Sequence, residues 1–276
     1  MLQVRPDRPL GPLLLGLIRI LDDVATRLDI PYFVIGATAR DILMEHVYAL
    51  ESGRATHDVD FAVAVPSWEA FAELKARLIA TGEFLLGETA HRLLFGTDPG
   101  AYPLDLVPFD GVEHDGEIAW PPDGDFVMNI AGYADAHASA LTVEIAPGFC
   151  VKIVSLPAMV ILKILAWTDR PDRDKHASDV LLLLRHYHEA GQFDRIYDTD
   201  ADLLAAFDYD LELAGSALLG RDAKRDVAPG TRDLVLDAFA DERKVDKFIV
   251  QAMRSSTSSS ERARLLLNAF LQSLCS

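Results

Sequence analysis

The chain of 276 residues is half apolar, so it is long enough and apolar enough to bury a sizeable core. It carries 26 basic and 43 acidic side chains, which gives a net charge of −17 at pH 7. This excess of acidic residues disfavours an extended nucleic-acid-binding surface, because phosphate neutralisation needs lysine and arginine on the contact face. A local basic patch, a cationic substrate or simple solubility would each be compatible with it.

The cysteine content and the N-terminal residues indicate a soluble cytoplasmic protein. The two cysteines, Cys150 and Cys275, exclude a disulfide framework and a conventional zinc site, as is usual in a reducing compartment. Charged residues interrupt the start of the chain, so we expect no secretory leader. The apolar run at residues 10–21 is too short to span a bilayer, and we expect no membrane segment.

The first part of the chain alternates strand-like and helix-like patterns. Compact apolar runs that end at glycine or proline are typical of strands, and apolar residues at three- and four-residue spacing are typical of helices. Ser67 stands before such a spacing and is expected to cap a helix. In chain order we predict a helix at 10–29, a strand at 31–35, a helix at 38–50, a strand at 58–65, a helix at 67–80, strands at 91–97 and 103–109, a loop at 110–125, and a late strand pair at 143–145 and 151–154.

The pattern changes to helical after Pro157. Residues 157–167, 177–188 and several segments of 203–274 carry apolar residues at helical spacing, and the serine-rich tract 254–260 is typical of a hinge or loop. We therefore predict two domains, an α/β catalytic domain at residues 1–155 and a helical domain at residues 156–276.

Two acids on one predicted strand are the sharpest chemical feature. Asp58 and Asp60 are two residues apart, and such side chains point to the same face of a strand. Neighbouring carboxylates repel and are costly to desolvate, whereas Mg²⁺ accepts carboxylates together with phosphate oxygens. The pair therefore indicates a metal site, and the alternative is an edge strand whose acids face water.

A turn of small residues lies 22 residues before Asp58. Gly36, Ala37 and Thr38 follow a predicted strand and open a predicted helix, where the main chain is accessible and free N–H groups attract anions. The turn is expected to bind a phosphate, or to be only a tight strand-to-helix connection. Arg40 would hold a phosphate or pair with a neighbouring acid.

A third acid, Asp105, stands alone on an otherwise apolar predicted strand. A buried lone acid is expensive unless it is paired or bound to metal. Together with the two earlier acids it would hold two Mg²⁺ ions, which is our expectation, or one Mg²⁺ while it serves as general base. The alternative is an ion pair of Asp105 with Arg92 or Arg40.

These motifs resemble the nucleotidyltransferase superfamily of DNA polymerase beta. The resemblance consists of a small-residue turn after a strand, an Asp-x-Asp strand and a later single Asp. The stretches LPAMVILKILAW at 156–167 and RPDRDKHASDV at 170–180 look like those of AbiEii-like nucleotidyltransferases, the toxins of type IV toxin–antitoxin systems. The resemblance covers roughly residues 30–190 and implies a mixed sheet flanked by helices, followed by a helical region.

The resemblance also implies roles for single residues. Gly36 would lie against the nucleotide phosphates, and Lys163 would reach the triphosphate as a point charge. Asp179 would lie on the following helix near Lys163. The superfamily usually has Gly-Ser or Gly-Gly where this chain has Gly36-Ala37, so one phosphate-binding hydroxyl is missing.

The expected activity is transfer of a nucleoside monophosphate from an NTP to an acceptor. The toxin resemblance implies tRNA or another RNA as acceptor and a cognate antitoxin protein as partner. One alternative is a small-molecule enzyme of the aminoglycoside type, whose acidic cleft would attract a polycation. Another is a catalytically inert relative that binds nucleotide or a partner protein.

Overall fold

The computed structural model describes residues 1–52, 58–96, 101–172, 174–255 and 258–276. The chain divides into two compact units, Met1–Val154 and Ser155–Ser276. The first unit contains the strands, which form one large mixed sheet and one small sheet, together with helices. In the second unit every regular element of the described residues is helical. The expected mixed α/β class is confirmed.

The first unit contains ten strands among its described residues. They are β1 (Leu2–Gln3), β2 (Tyr32–Ile35), β3 (Val59–Val65), β4 (Phe84–Leu86), β5 (Arg92–Phe95), β6 (Tyr102–Asp110), β7 (Glu117–Ala119), β8 (Val127–Asn129), β9 (Leu141–Ala146) and β10 (Phe149–Ile153). Eight of them form one sheet in the order β1-β9-β10-β2-β3-β6-β5-β4, and β7 and β8 form a second sheet of two strands.

The centre of the large sheet mixes strand directions. β2 runs antiparallel to β3, β3 runs parallel to β6, and β6 runs antiparallel to β5. The parallel pair needs a long crossover, which α3 (Trp68–Ala80) and the β4–β5 hairpin provide. Phe33 of β2 and Phe61 of β3 are fully buried, so these central strands lie in the core of the unit.

Three further helices belong to this unit: α1 (Pro12–Arg27), α2 (Gly36–Asp41) and α4 (Tyr133–Ala138). The buried residues of α1 include Leu17, Leu21 and Val24, which recur at helical spacing and face the core. The Ser67 side chain accepts a hydrogen bond from the Ala70 N–H, so the predicted cap of α3 is confirmed.

The structure corrects the expected secondary structure in two segments. Residues 110–125 were expected to be a loop, but they contain β7, which is only three residues long and depends on pairing with β8. Residues 38–50 were expected to be one α-helix. They instead continue α2 into a π-helical turn at Ile42–Val47. A three-residue strand is too short to show an alternating sequence pattern. A π-helical turn of six residues is likewise too short to change the helical spacing of the apolar residues in a recognisable way.

The second unit contains eight α-helices among its described residues. They are α5 (Leu156–Asp169), α6 (Asp174–His186), α7 (Phe193–Tyr197), α8 (Ala201–Ala206), α9 (Leu211–Asp226), α10 (Pro229–Ala238), α11 (Glu242–Ala252) and α12 (Ser260–Cys275). Short 3₁₀ turns follow α6 and α11. The predicted hinge at 254–260 includes residues 256 and 257, which lie outside the described residues.

Close helix contacts hold the second unit together. A Cβ at Gly220 of α9 would stand 2.2 Å from the carbonyl oxygen of Phe270, so α9 and α12 approach closely because Gly220 has no side chain. The Trp167 indole of α5 donates a 2.6 Å hydrogen bond to Gln251 of α11. α5 is apolar and buried on nearly all sides, as expected for the central helix of this unit.

Candidate active site

Charged residues occupy equivalent positions on neighbouring strands of the large sheet. Asp60 of β3 pairs in register with Asp105 of β6. Asp105 in turn pairs in register with Arg92 of β5. Residues in register project from the same face, on strands about 4.8 Å apart. The sheet itself therefore places two carboxylates and one guanidinium side by side.

Asp58 adds a third carboxylate to this row. It immediately precedes β3, two residues before Asp60. The Thr38 hydroxyl donates a 2.9 Å hydrogen bond to the carbonyl oxygen of Asp58, which anchors this end of the strand. Asp58, Asp60 and Asp105 each offer an oxygen, and these three oxygens all lie within 4.8 Å of one another. These three residues are called the acidic cluster below.

Gly36 makes room for the acidic cluster. It follows β2 with a φ of +71°, a backbone conformation that residues other than glycine rarely adopt. A Cβ at this position would stand 2.0 Å from Oδ2 of Asp60. The residue that the sequence analysis assigned to the nucleotide phosphates thus lies directly against one of the three acids, and only glycine fits there.

The remaining residues of the predicted turn have different environments. Ala37 is partly exposed, whereas Thr38 and Arg40 are 4% and 0% exposed. Arg40 donates to Oδ1 of Asp41 through Nε at 2.8 Å and Nη2 at 2.6 Å. Of its two expected roles, the ion pair with a neighbouring acid is present, and the guanidinium is fully buried. The Thr38 hydroxyl binds the main chain at Asp58.

Arg92 clamps Asp105 through two hydrogen bonds. Nε donates to Oδ1 at 2.7 Å and Nη2 donates to Oδ2 at 2.6 Å. The hydrogen bond to Asp105 is the main cause that raises the pKa of Arg92, and the charges of Asp58 and Asp60 raise it further. The ion pair expected as an alternative to metal binding is therefore present, and it coexists with the convergence of the three acids.

The charges of the site suit a divalent cation. Three carboxylates and one guanidinium leave a formal excess of two negative charges, which one Mg²⁺ would balance. Two oxygens on one Mg²⁺ at 2.0–2.1 Å are at most about 4.2 Å apart, so small side-chain rotations bring the cluster within this limit. Mg²⁺ prefers carboxylate oxygens, and the residues present therefore fit it.

Two tyrosines near the acidic cluster were not singled out from the sequence. Burial raises the pKa of Tyr102, and the charges of Asp58 and Asp41 raise it further. Burial also raises the pKa of Tyr133, with a smaller contribution from Asp60. Both phenols therefore stay protonated and can donate hydrogen bonds near the acids. Their sequence positions carry no motif, and only the packing of β6 and α4 reveals them.

Lys163 and Asp179 form a buried ion pair within the second unit. Nζ of Lys163 in α5 donates to Oδ2 of Asp179 in α6 at 2.6 Å. The two residues are 8% and 3% exposed, so Lys163 is not a solvent-facing lysine. The family resemblance implied that these two residues lie close together, and the structure shows them in contact.

A mixed sheet that carries a glycine turn and three converging acids defines the first unit as a nucleotidyltransferase. A family model described as "Nucleotidyl transferase AbiEii toxin, Type IV TA system" matches residues 19–258. The chain belongs to this AbiEii family of nucleotidyl transferase toxins. The resemblance recognised in the sequence is confirmed, and the protein is a transferase enzyme.

Solved structures of other nucleotidyltransferases show a distant likeness. The antibiotic-resistance factor ANT(2'')-Ia is 16% identical, over 71% of this chain and 97% of its own, with a TM-score of 0.40. A nucleotidyltransferase-like protein from Paracoccidioides brasiliensis is 18% identical, over 73% and 95%, with a TM-score of 0.43. The Thermotoga maritima CCA-adding enzyme complexed with tRNA is 11% identical, over 98% and 82%, with a TM-score of 0.29.

A comparison with curated protein sequences finds no match. Among the described residues, no helix combines the length and the apolar character that a membrane crossing requires.

Proposed function

We propose that this enzyme transfers a nucleoside monophosphate from an NTP to an acceptor, with Mg²⁺ held by Asp58, Asp60 and Asp105. The observation that carries the proposal is the convergence of three carboxylates beside Gly36. Their excess negative charge needs a cation, and a triphosphate needs the same cation for in-line transfer. Gly36 and Ala37, which open α2 beside Asp60, would offer their main chain to the phosphates.

The reaction forms one bond and breaks one. An acceptor hydroxyl attacks the α-phosphorus, the bond from that phosphorus to the bridging oxygen of the β-phosphate breaks, and pyrophosphate leaves. The hydroxyl proton passes to water or, in the alternative with one ion, to Asp105 as general base. Bound Mg²⁺ would supply charge stabilisation of the attacking and leaving oxygens. The number of ions, which we expect to be two, belongs to this proposal.

We extend the proposal to Lys163 and Asp179 on family membership. Lys163 would bind the triphosphate, and Asp179 would position its ammonium group. The hydrogen bond from Nζ of Lys163 to Oδ2 of Asp179 supports the positioning role of Asp179.

The central test follows Mg²⁺-dependent incorporation of labelled NTPs into RNA, protein and small-molecule acceptors. Asp58→Ala is compared with wild type, and Asp123→Ala, which removes an exposed acid of the same unit, serves as the matched control. We expect labelling by wild type and by Asp123→Ala and none by Asp58→Ala. Equal labelling by all three proteins would rule out the acidic cluster as the site.

For the acceptor we propose RNA, with tRNA first, because the chain belongs to a toxin family. A cationic small molecule is a second candidate. It is favoured by the net charge of −17 and by the engagement of Arg40 and Arg92 with acids. Labelling reactions that offer total tRNA and an aminoglycoside in parallel distinguish the two acceptors.

The family also suggests a protein partner and a location. We propose a cognate antitoxin as partner and the cytoplasm as the compartment where both act. Expression of the chain alone should arrest growth of a host, and Asp58→Ala should remove this effect. If the chain is instead a catalytically inert relative, calorimetry will show that it binds NTP with Mg²⁺, and no pyrophosphate will be released.

A further inference from the structure

Arg92 occupies both oxygens of Asp105, the most buried member of the acidic cluster. Asp105 is 9% exposed, and each of its oxygens accepts one hydrogen bond from the guanidinium. A bidentate guanidinium–carboxylate pair is among the strongest hydrogen-bonded pairs in proteins. A cation that approaches Asp105 therefore meets a positive charge already in place.

The loop before β5 fixes the base of the Arg92 side chain. The Gly87 N–H donates to the carbonyl oxygen of Arg92 at 3.0 Å, and the Arg92 N–H donates to the carbonyl oxygen of Thr89 at 3.0 Å. A Cβ at Gly87 would stand 2.5 Å from Cγ of Arg92. The side chain therefore leaves the strand through a gap that exists only because residue 87 is glycine.

The end of the Arg92 side chain has room to move. Its side chain is 35% exposed, whereas the Asp105 side chain is 12% exposed. Release of Asp105 therefore takes the guanidinium toward solvent, where it is readily hydrated, and leaves the carboxylate in the site. Of the two members of this pair, Arg92 is the one that can leave.

We propose that Arg92 is a positioning residue that clamps Asp105 in the nucleotide-free enzyme, so that Asp58 and Asp60 bind the first divalent cation and Asp105 joins only after Arg92 releases an oxygen. This inference rests on the metal site of the proposed function. Arg92 thereby lowers the affinity of the empty enzyme for the cation and holds the third carboxylate oriented.

The test measures Mn²⁺ affinity without nucleotide, by electron paramagnetic resonance of the free ion, on the full chain. Arg92→Gln removes the positive charge and the clamp. Arg92→Lys keeps the positive charge but does not form the bidentate pair of hydrogen bonds. Arg77→Gln removes the same charge from an exposed arginine of α3 and is the matched control. Gly87→Ala displaces the Arg92 side chain without touching the acids, and Gly16→Ala, where a Cβ meets open space, controls for it.

We expect Arg92→Gln to bind Mn²⁺ at least about tenfold more tightly than wild type, since a neighbouring positive charge is lost and an oxygen is freed. Arg92→Lys and Gly87→Ala should show smaller increases, and the two controls should match wild type. Asp105→Asn should lower the affinity by no more than about tenfold, because it removes one neighbouring negative charge but no ligand of the first cation.

Two results would overturn the inference. One is Mn²⁺ affinity of Arg92→Gln equal to or weaker than that of wild type, and the other is a loss of affinity in Asp105→Asn well beyond about tenfold, which would mark Asp105 as a ligand of the first cation. Asp58→Ala separates this failure from failure of the proposed function. If wild type binds Mn²⁺ and Asp58→Ala does not, the metal site stands whatever Arg92 does. If neither wild type nor Arg92→Gln binds Mn²⁺, both proposals fail.

Discussion

The acidic cluster of the first unit and the Lys163–Asp179 pair of the second unit differ in how their charges are balanced. In the second unit one cation meets one anion at 2.6 Å, and the pair is neutral and buried. In the first unit three acids converge, Arg92 clamps one of them, and these four side chains carry a formal charge of −2. Balanced charges hold a fold together, whereas unbalanced charges need a ligand from outside.

The comparison predicts opposite consequences of removing a charge. A neutral substitution in the acidic cluster should reduce activity and spare stability, because it relieves repulsion. A neutral substitution in the buried pair should reduce stability, because it leaves one charge without its partner. The following experiments address this contrast.

The largest effect is expected for Asp60→Asn. We expect turnover of NTP to fall at least about a thousandfold, which corresponds to about 4 kcal/mol of lost transition-state stabilisation. The thermal unfolding midpoint should stay the same or rise. Steady-state kinetics and thermal unfolding measure the two quantities, with Asp123→Asn as control. A lower midpoint together with full activity would contradict the contrast.

The next effect is on the stability of the second unit. Lys163→Met leaves Asp179 buried without this ion pair, and we expect a loss of about 3–5 kcal/mol in the free energy of unfolding. The double variant Lys163→Met, Asp179→Leu should recover most of it, because two apolar side chains pack in place of the pair. Urea unfolding of the full chain gives both values. A double variant as unstable as the single one would show that the pair is not an isolated charge balance.

Gly36→Ala combines both kinds of consequence. The added Cβ would meet Asp60 and would force a positive φ on alanine, so we expect a loss of about 2 kcal/mol in stability. Metal binding should weaken as well, because Asp60 must move. Gly16→Ala is the control, and there we expect a gain of about 0.5–1 kcal/mol from helix propensity. Mn²⁺ titration and urea unfolding check the two outcomes.

The smallest effect is the pH dependence that His188 contributes to the second unit. Burial, helped by His186, lowers the pKa of His188 below 6.5, while Glu189 and Glu212 act in the opposite direction. The unfolded chain therefore takes up the proton first as the pH falls. The contribution of neutral His188 to the free energy of unfolding is complete above pH 6.5. It is lost as the pH falls through the lowered pKa of the folded state.

His188→Leu should flatten this part of the stability curve, by about 1 kcal/mol for each unit of pKa shift. His114→Gln, at an exposed position of the first unit, should leave the curve unchanged. Urea unfolding between pH 5 and 7.5, a range about the ordinary histidine pKa, measures the slope. A slope identical in wild type and His188→Leu would contradict the assignment.

The strands that carry the acids were predictable because their patterns are local. β2, β3 and β6 are apolar runs bounded by glycine or proline, and the alternation that sets Asp58 and Asp60 on one face needs only the period of a strand. The short strands were not predictable. β4 and β7 have three residues each, and they exist because a partner strand pairs with them.

The acidic cluster was predicted as a set, whereas its surroundings were not. Residue types and spacing pointed to the three acids and to Gly36, and the family resemblance implied that Lys163 and Asp179 lie close together. The burial of Arg40 and the phenols of Tyr102 and Tyr133 depend on contacts between elements far apart in the chain. No local pattern records such contacts.

The sequence by itself determined which residues have the chemistry for metal and phosphate, because residue type and strand period are local properties. Only the tertiary structure decided that Asp105 stands in register with Asp60 and that Arg92 takes both of its oxygens. The register between β3, β6 and β5 is set by how whole strands pack against the core. For this reason the clamp of Arg92 on Asp105 is visible in the fold alone.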